Sequence, residues 1–292
     1  MTFEVPAQPW TQDLPTALAA PMVPVPYQIL SRRQENDDNF TLELAPVGGG
    51  PHPGFQPGQF NMLYVFGVGE VPISFSGPSH DPNKMVHTIR VVGATTRALG
   101  QLKRGEVVGL RGPFGVPWPM AQALHKDVVL VVGGVGLAPL RPVIYAVLHQ
   151  RALFGRLVIL YGARTPKELL FTRELSRWAG LRGVQVEVTV DRAAEGWTGH
   201  VGVVPALVQD AQFDPHHTIA MTCGPEVMMR FSARALLAKG MKKEDIYFSM
   251  ERNMKCAIGQ CGRCQWGPHF MCKNGPVFAF NRIEELLAIK EL

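Results

Sequence analysis

With 292 residues, 46% apolar and 18% charged, the chain is long enough for about two packed domains and has the balance of a globular protein rather than a disordered one. Its net charge of +5 is spread along the sequence, with no basic stripe interleaved with aromatic residues, which argues against nucleic-acid binding. The longest apolar run, residues 128–140, is broken by glycines and too short to span a bilayer, and residues 1–26 carry neither the basic nor the apolar region of a signal peptide. A cytoplasmic chain with no membrane span is expected.

Taken in order, residues 1–26 are rich in proline and read as an extended arm or a loose tail. From residue 27 the pattern is β. Segments 27–32, 40–44, 59–65 and 87–92 alternate or are β-branched, with Gly and Pro clusters between them, a short helix follows at 98–102, and a last strand at 107–110. Short strands with turn signals at this spacing predict a small antiparallel barrel over residues 27–120. After Trp118 the rhythm becomes strand, helix, strand. Strands are expected at 128–132, 157–161, 184–190, 218–222 and 246–249, with helices at 139–150, 166–179, 202–212 and 226–238 between them. That alternation predicts a parallel sheet covered on both faces, residues 121–250. The remainder, 251–292, holds a cysteine-rich loop and a closing helix at 282–290.

Cys256, Cys261, Cys264 and Cys272 follow the spacing C-x4-C-x2-C-x7-C. Its opening matches the plant-ferredoxin arrangement for a 2Fe-2S cluster, in which thiolates hold the irons and the loop wraps the sulfides. Gly259, Gly262 and Gly267 let backbone amides approach the sulfides, and Lys255, Arg263 and Lys273 offset negative charge. Structural zinc is the alternative. Zinc sites usually pair two short C-x2-C hairpins, and only Cys261 and Cys264 make one here, which favours the cluster. His269 is redundant beside four thiols. Disulfides are not expected, because nothing marks the chain as secreted.

Gly133-Gly134-Val-Gly136-Leu-Ala-Pro139 ends a strand and opens a helix, where amides and the helix dipole can hold a pyrophosphate; a plain strand-to-helix turn has the same form. The end of the next strand, Tyr161-Gly-Ala-Arg164, carries an arginine instead of the acidic residue that binds a ribose 2′-OH. This leans toward NADP(H) rather than NAD(H), with Arg164 as a solvated loop residue the other reading. Cys223-Gly224-Pro225 follows another strand at the same sheet edge, and both packing and chemistry stay open for Cys223. In the first domain, Gly93 and Thr96 open a short helix that suits an anion, or simply cap it.

Barrel, Gly-Gly-x-Gly-x-Ala-Pro turn, Cys-Gly-Pro and carboxy-terminal cysteines, in this order, resemble the ferredoxin-NADP reductase superfamily from about residue 27 onward. The nearest likeness is to its FAD- and 2Fe-2S-containing electron-transfer subunits: the gamma subunit of cytoplasmic nickel–iron hydrogenases, and the corresponding subunits of anaerobic sulfite reductase and of dihydroorotate dehydrogenase. Gly67-Val-Gly-Glu70-Val-Pro-Ile-Ser74, Tyr161-Gly-Ala-Arg164-Thr-Pro and Met250-Glu-Arg-Asn-Met-Lys-Cys256 look most like the hydrogenase form. The resemblance implies that Pro72, Ile73 and Ser74 line the flavin ring and that Gly93 and Thr96 hold the FAD pyrophosphate. Gly134, Gly136, Cys223, Gly224 and Pro225 would face the nicotinamide nucleotide, with Cys223 and Ser74 at the reacting centre. The superfamily's Arg-x-Tyr-Ser is replaced by Val71-Pro-Ile-Ser74, so Arg90 or Arg97 would have to supply the missing charge.

Electron counting orders these parts. A nicotinamide moves a hydride, a 2Fe-2S cluster takes one electron, and a flavin handles both. The expected function is an NAD(P)H-linked oxidoreductase subunit of a hetero-oligomeric complex, passing electrons through FAD and the cluster to a partner redox subunit. A hydrogenase partner is favoured, with sulfite reduction or dihydroorotate oxidation as alternatives. A redox-sensing or zinc-stabilised binding module that turns nothing over is the reading from a different class.

Overall fold

The computed structural model describes residues 20–289. Up to residue 19, the expected amino-terminal arm lies outside the described residues. Strands β1 (Val25–Gln34), β2 (Asn39–Pro46), β3 (Phe60–Val65), β4 (Gly69–Ser74) and β5 (Met85–Arg90) precede helix α1 (Ala94–Gln101). With β6 (Val107–Phe114) they form an antiparallel sheet in the order β4-β3-β6-β1-β2-β5. The expected barrel is thus an open ladder whose edge segments meet at a bridge between Phe75 and His87, beside a Ser76 N–H bond of 2.8 Å to the Val86 carbonyl. β4 has no clean alternation and was not among the expected strands. It is half-buried along its whole length and carries Pro72, which an edge strand tolerates because that position need not donate to a neighbour.

The second half runs β7 (Asp127–Gly133), α2 (Leu137–His149), β8 (Leu157–Ala163), α3 (Thr172–Ala179), β9 (Val184–Val190), β10 (His200–Val201), α4 (Leu207–Asp210), β11 (Thr218–Cys223), α5 (Glu226–Ala238) and β12 (Ile246–Ser249). The cysteine segment adds β13 (Gln265–Trp266), β14 (His269–Phe270), α6 (Met271–Asn274), β15 (Val277–Ala279) and α7 (Phe280–Ala288). The large sheet has the order β10-β9-β8-β7-β11-β12-β15, parallel except for β15, which pairs antiparallel with β12. The carboxy-terminal segment is therefore hydrogen-bonded into the nucleotide-type sheet.

Val128 to Val132 of β7 are all fully buried. Val129 and Val131 pack with Met229, Ala233 and Leu236 of α5, while Val128, Leu130 and Val132 pack with Leu140, Val143 and Val147 of α2. Helices on both faces explain the unbroken apolar run.

Two expected helices are shorter than their sequence patterns. At 166–179 the chain makes a 3-10 turn, Pro166–Glu168, then inserts Leu169, Leu170 and Phe171 into the core before α3 begins. Phe171 takes φ 54°, and the Leu170 N–H bonds the Tyr161 hydroxyl at 3.0 Å, which no continuous helix permits. At 202–212 a 3-10 turn, Val204–Ala206, leads into the single turn of α4.

Candidate functional site

β7 is the central switch of the large sheet. The chain leaves it outward through β8 and β9 on one side and returns to β11 and β12 on the other. Ligands of open parallel sheets bind beyond the carboxyl ends of the strands at such a point. Gly134 and Gly136 follow β7, Arg164 follows β8, Cys223 ends β11 and Gly224-Pro225 follow it, so all six stand at this edge. The two turns at β7 and β11 are in van der Waals contact. A β-carbon on Gly136 would stand 2.4 Å from the Cys223 carbonyl oxygen, so only glycine fits there, whereas at Gly134 the space above the backbone is open.

The Cys223 thiol is buried and bonded to Ser249. Burial first, and the nearby Glu251 carboxylate second, raise it far above the usual thiol range. Its neutral thiol form therefore prevails at neutral pH. Neither Ser249 nor Glu251 was among the predicted site residues, since both lie in β12 and the turn after it, without a motif of their own.

Arg164 is exposed, and its Nε donates to the Glu168 carboxylate at 2.8 Å. The acidic residue missing from the end of β8 is supplied four residues later. Asn36, in the turn between β1 and β2, donates to the Glu168 carbonyl at 3.2 Å, so the first sheet reaches this corner too.

In the first sheet, Pro72, Ile73 and Ser74 pair with Met62, Asn61 and Phe60 of β3, leaving the other side of β4 without a ladder. The Ser74 carbonyl accepts the Nδ1–H of the fully buried His87 at 3.0 Å, and His87 Nε2 accepts from Asn61 at 3.2 Å. Gly93 is the N-cap of α1. The Thr96 hydroxyl accepts the Val92 and Gly93 amides at 3.0 and 2.9 Å and donates to the Gly93 carbonyl, so Thr96 shapes the turn with its own hydroxyl engaged. The first amides of α1 lack intrahelical partners by construction. Thr95 stands beside Gly69 at the start of β4, so this helix end adjoins the strand. Arg90 is held by Asp38 at 3.1 Å, and Arg97 is exposed.

The four cysteines come together in two pairs. Cys264 and Cys272 have sulfurs 3.3 Å apart, and Cys256 bonds with Cys261. Cys256, Cys264 and Cys272 are buried, whereas Cys261 is exposed. Burial works against ionising Cys256, but the amides of Ile258, Cys261 and Gln260 outweigh it and bring the thiol down to about 6. Cys272 is pushed up to about 12, by burial and then by Cys264, although the Gly259 amide reaches its sulfur at 3.1 Å. Gly259 takes φ 76°, and the non-glycine Ala257 takes φ 62°, which turns these amides inward. Two thiol pairs ringed by amide donors suit two irons sharing sulfides.

The loop lies against the first sheet. Phe60 and Met62 of β3 and Phe114 of β6 share one core with Met254, Ala257, Cys264 and Cys272, and the Val116 amide bonds the Gly275 carbonyl at 2.6 Å. Arg111 of β6, also absent from the predicted residues, is buried against the carbonyls of Lys255 and Cys256. Among the described residues no helix is long and apolar enough to cross a membrane.

Comparison with known proteins agrees with this architecture. Residues 130–234 match the family Oxidoreductase NAD-binding domain, and residues 251–284 match the Iron-sulfur cluster binding domain of dihydroorotate dehydrogenase B. The sulfhydrogenase 1 subunit gamma of Pyrococcus furiosus is 35% identical over 233 residues, 77% of this chain and 80% of that one. The probable dihydroorotate dehydrogenase B (NAD(+)) electron transfer subunit of the same organism is 35% identical over 225 residues, 77% of this chain and 80% of that one. Among solved structures, a chain from the NADH-dependent reduced ferredoxin-NADP oxidoreductase superposes with a TM-score of 0.71 at 25% identity, covering 91% of this chain and 94% of that chain. The chain belongs to the ferredoxin-NADP reductase superfamily, as an FAD/NAD(P)-binding oxidoreductase unit fused to an iron–sulfur-binding domain and related to the sulfhydrogenase gamma subunits.

Proposed function

We propose that this chain is the electron-transfer subunit of a multi-subunit redox enzyme, connecting NAD(P)H with a partner's redox centre through FAD and a 2Fe-2S cluster. The observation that carries the reading is the place of β3. On one side it pairs with the half-exposed Pro72-Ile73-Ser74 strand, and its Phe60 and Met62 side chains belong to the same buried core as Cys264 and Cys272.

FAD, when bound, supplies the step between a two-electron hydride donor and a one-electron acceptor. The chain's residues divide the remaining work. Pro72, Ile73 and Ser74 present a flat surface for the flavin ring, and His87 fixes the Ser74 carbonyl behind it. Gly93 and the first turn of α1 offer amides to the pyrophosphate, with Thr96 holding the turn in shape. Gly134, Gly136, Gly224 and Pro225 hold the nicotinamide nucleotide, and the neutral Cys223 thiol packs beside the nicotinamide without attacking it. Arg164 meets the adenosine end, where a 2′-phosphate competes with Glu168. Cys256, Cys261, Cys264 and Cys272 would hold the cluster, and the exposed Cys261 marks the side open to a partner.

The expected preference for a hydrogenase partner is not carried by the relatives. Sulfhydrogenase gamma subunits and dihydroorotate dehydrogenase electron-transfer subunits stand at equal identity, and the cysteine segment matches the dihydroorotate dehydrogenase family. We therefore hold to the shared role, with a dihydroorotate-oxidising or hydrogen-activating subunit as the partner. Anaerobic purification tests the cofactor reading: about one FAD and one 2Fe-2S cluster per chain are expected. Stoichiometric zinc without acid-labile sulfide would overturn it. Identifying the chains that co-purify decides between the two partners.

A further inference from the structure

Arg111 sits in the middle of β6 with its side chain 1% exposed. A guanidinium has five N–H donors, and every one of them finds an oxygen here. Nε and one Nη2 hydrogen go to the two Glu70 oxygens at 3.0 and 2.9 Å. The other Nη2 hydrogen goes to the Lys255 carbonyl at 3.1 Å. Nη1 reaches the Cys256 carbonyl at 3.0 Å and the Pro21 carbonyl at 2.8 Å. One side chain thus joins the start of β4, the segment preceding β1 and the first cysteine of the loop.

A buried ion pair of this kind is not evidence of a large stability gain, because desolvation consumes most of the attraction. Its geometry constrains orientation instead. The Cys256 carbonyl is held directly before Ala257, whose left-handed backbone turns the following amides toward the Cys256 sulfur. The pair also has a direction. Arg111 bonds the Cys256 carbonyl through Nη1, and Glu70 bonds the same guanidinium through Nε and Nη2, so the carboxylate reaches the loop only through the cation.

We propose that Arg111, backed by Glu70, is a positioning residue that ties the Cys256 end of the cysteine loop to the flavin strand and sets the potential of the cluster held there. The inference rests on the reading of the loop as a 2Fe-2S site and of β4 as the flavin strand. Four thiolates make such a cluster net negative, and reduction adds one more negative charge. A buried cation beside one ligand favours the reduced form, and a carboxylate behind that cation weakens its field. Removing either partner therefore acts on the potential with opposite sign.

The test uses the full-length, cluster-loaded chain as wild type and as Arg111→Gln, Arg111→Lys and Glu70→Gln. Two readouts are needed: amide hydrogen exchange over residues 255–261, and the cluster midpoint potential followed by electron paramagnetic resonance. Arg111→Gln should exchange about tenfold faster over 255–261, because charge-assisted bonds to two carbonyls are lost, and its potential should fall. Arg111→Lys keeps the charge without the fork, so exchange should rise while the potential stays nearer wild type. Glu70→Gln should move the potential upward. Potentials of Glu70→Gln and Arg111→Gln that shift in the same direction would reduce the pair to general support of the fold and overturn the proposal. Unchanged exchange in both Arg111 variants would overturn the tie. Should Arg111→Gln fail to fold, an upward shift in Glu70→Gln, with faster exchange in Arg111→Lys, supports the proposal, and its absence overturns it. A wild-type chain without acid-labile sulfide overturns the cluster reading and the potential-setting half with it, whereas the exchange comparison judges the tie by itself.

Discussion

Gly136 faces the carbonyl oxygen of Cys223 so closely that a β-carbon on Gly136 would lie 2.4 Å from it. The two turns that rim the nucleotide edge of the large sheet therefore pack on each other, and neither can shift alone. Gly136→Ala should push the β7–α2 turn away from Cys223, costing about 1–3 kcal/mol of stability as an overpacked contact. The same variant should raise the Michaelis constant for NAD(P)H severalfold. Thermal unfolding and steady-state kinetics with an artificial acceptor measure both effects. Unchanged values would mean that the turn has slack that the contact excludes.

In the proposed function, the nucleotide preference is read by Arg164, which is paired with Glu168. Arg164→Ala should raise the Michaelis constant for NADPH more than that for NADH. Glu168→Gln, which releases the guanidinium from its internal partner, should lower the NADPH constant relative to NADH. Equal effects on both nucleotides would remove Arg164 from 2′-phosphate reading.

His87 gives the fold a pH dependence of defined sign. Burial pushes its imidazole down to about 4 from 6.5, while the unfolded chain takes up the proton near the ordinary value. The unfolded state then binds more protons between these two values, so stability is full above about pH 6.5 and falls as the pH drops toward 4. The loss between pH 7 and pH 5 is about 2 kcal/mol. Denaturant midpoints at these two pH values should show it, and His87→Gln should flatten the difference. An identical pH slope in both proteins would contradict a neutral, bonded His87.

How much of this was legible in the sequence depends on how local each feature is. The cysteine spacing, the glycine turn after β7 and the continuous apolar strands are short-range patterns, and the structure has them within a residue or two of the expected places. β4 was not legible, because a half-exposed edge strand interrupted by Pro72 has no alternation to read. The helix expected at 166–179 failed because burial of Leu169, Leu170 and Phe171 won over helical spacing. Glu168 stands four residues after Arg164 and could have been found by that interval. Arg111 gave no signal, since its five acceptors come from segments 41 to 145 residues away.

The central claim is a linear path with the cysteine loop as the exit, and Cys264→Ser tests it most directly. Cys264 is buried with its sulfur 3.3 Å from Cys272, and a serine alkoxide is a harder, far more basic ligand than a thiolate. In the assembled complex, after confirming that the cluster is lost while FAD and the partner remain bound, two activities are compared. NAD(P)H oxidation with a small artificial acceptor should survive, and electron delivery to the partner subunit should fall by orders of magnitude. Survival of both activities without the cluster would contradict the path and leave Cys256 to Cys272 a structural loop.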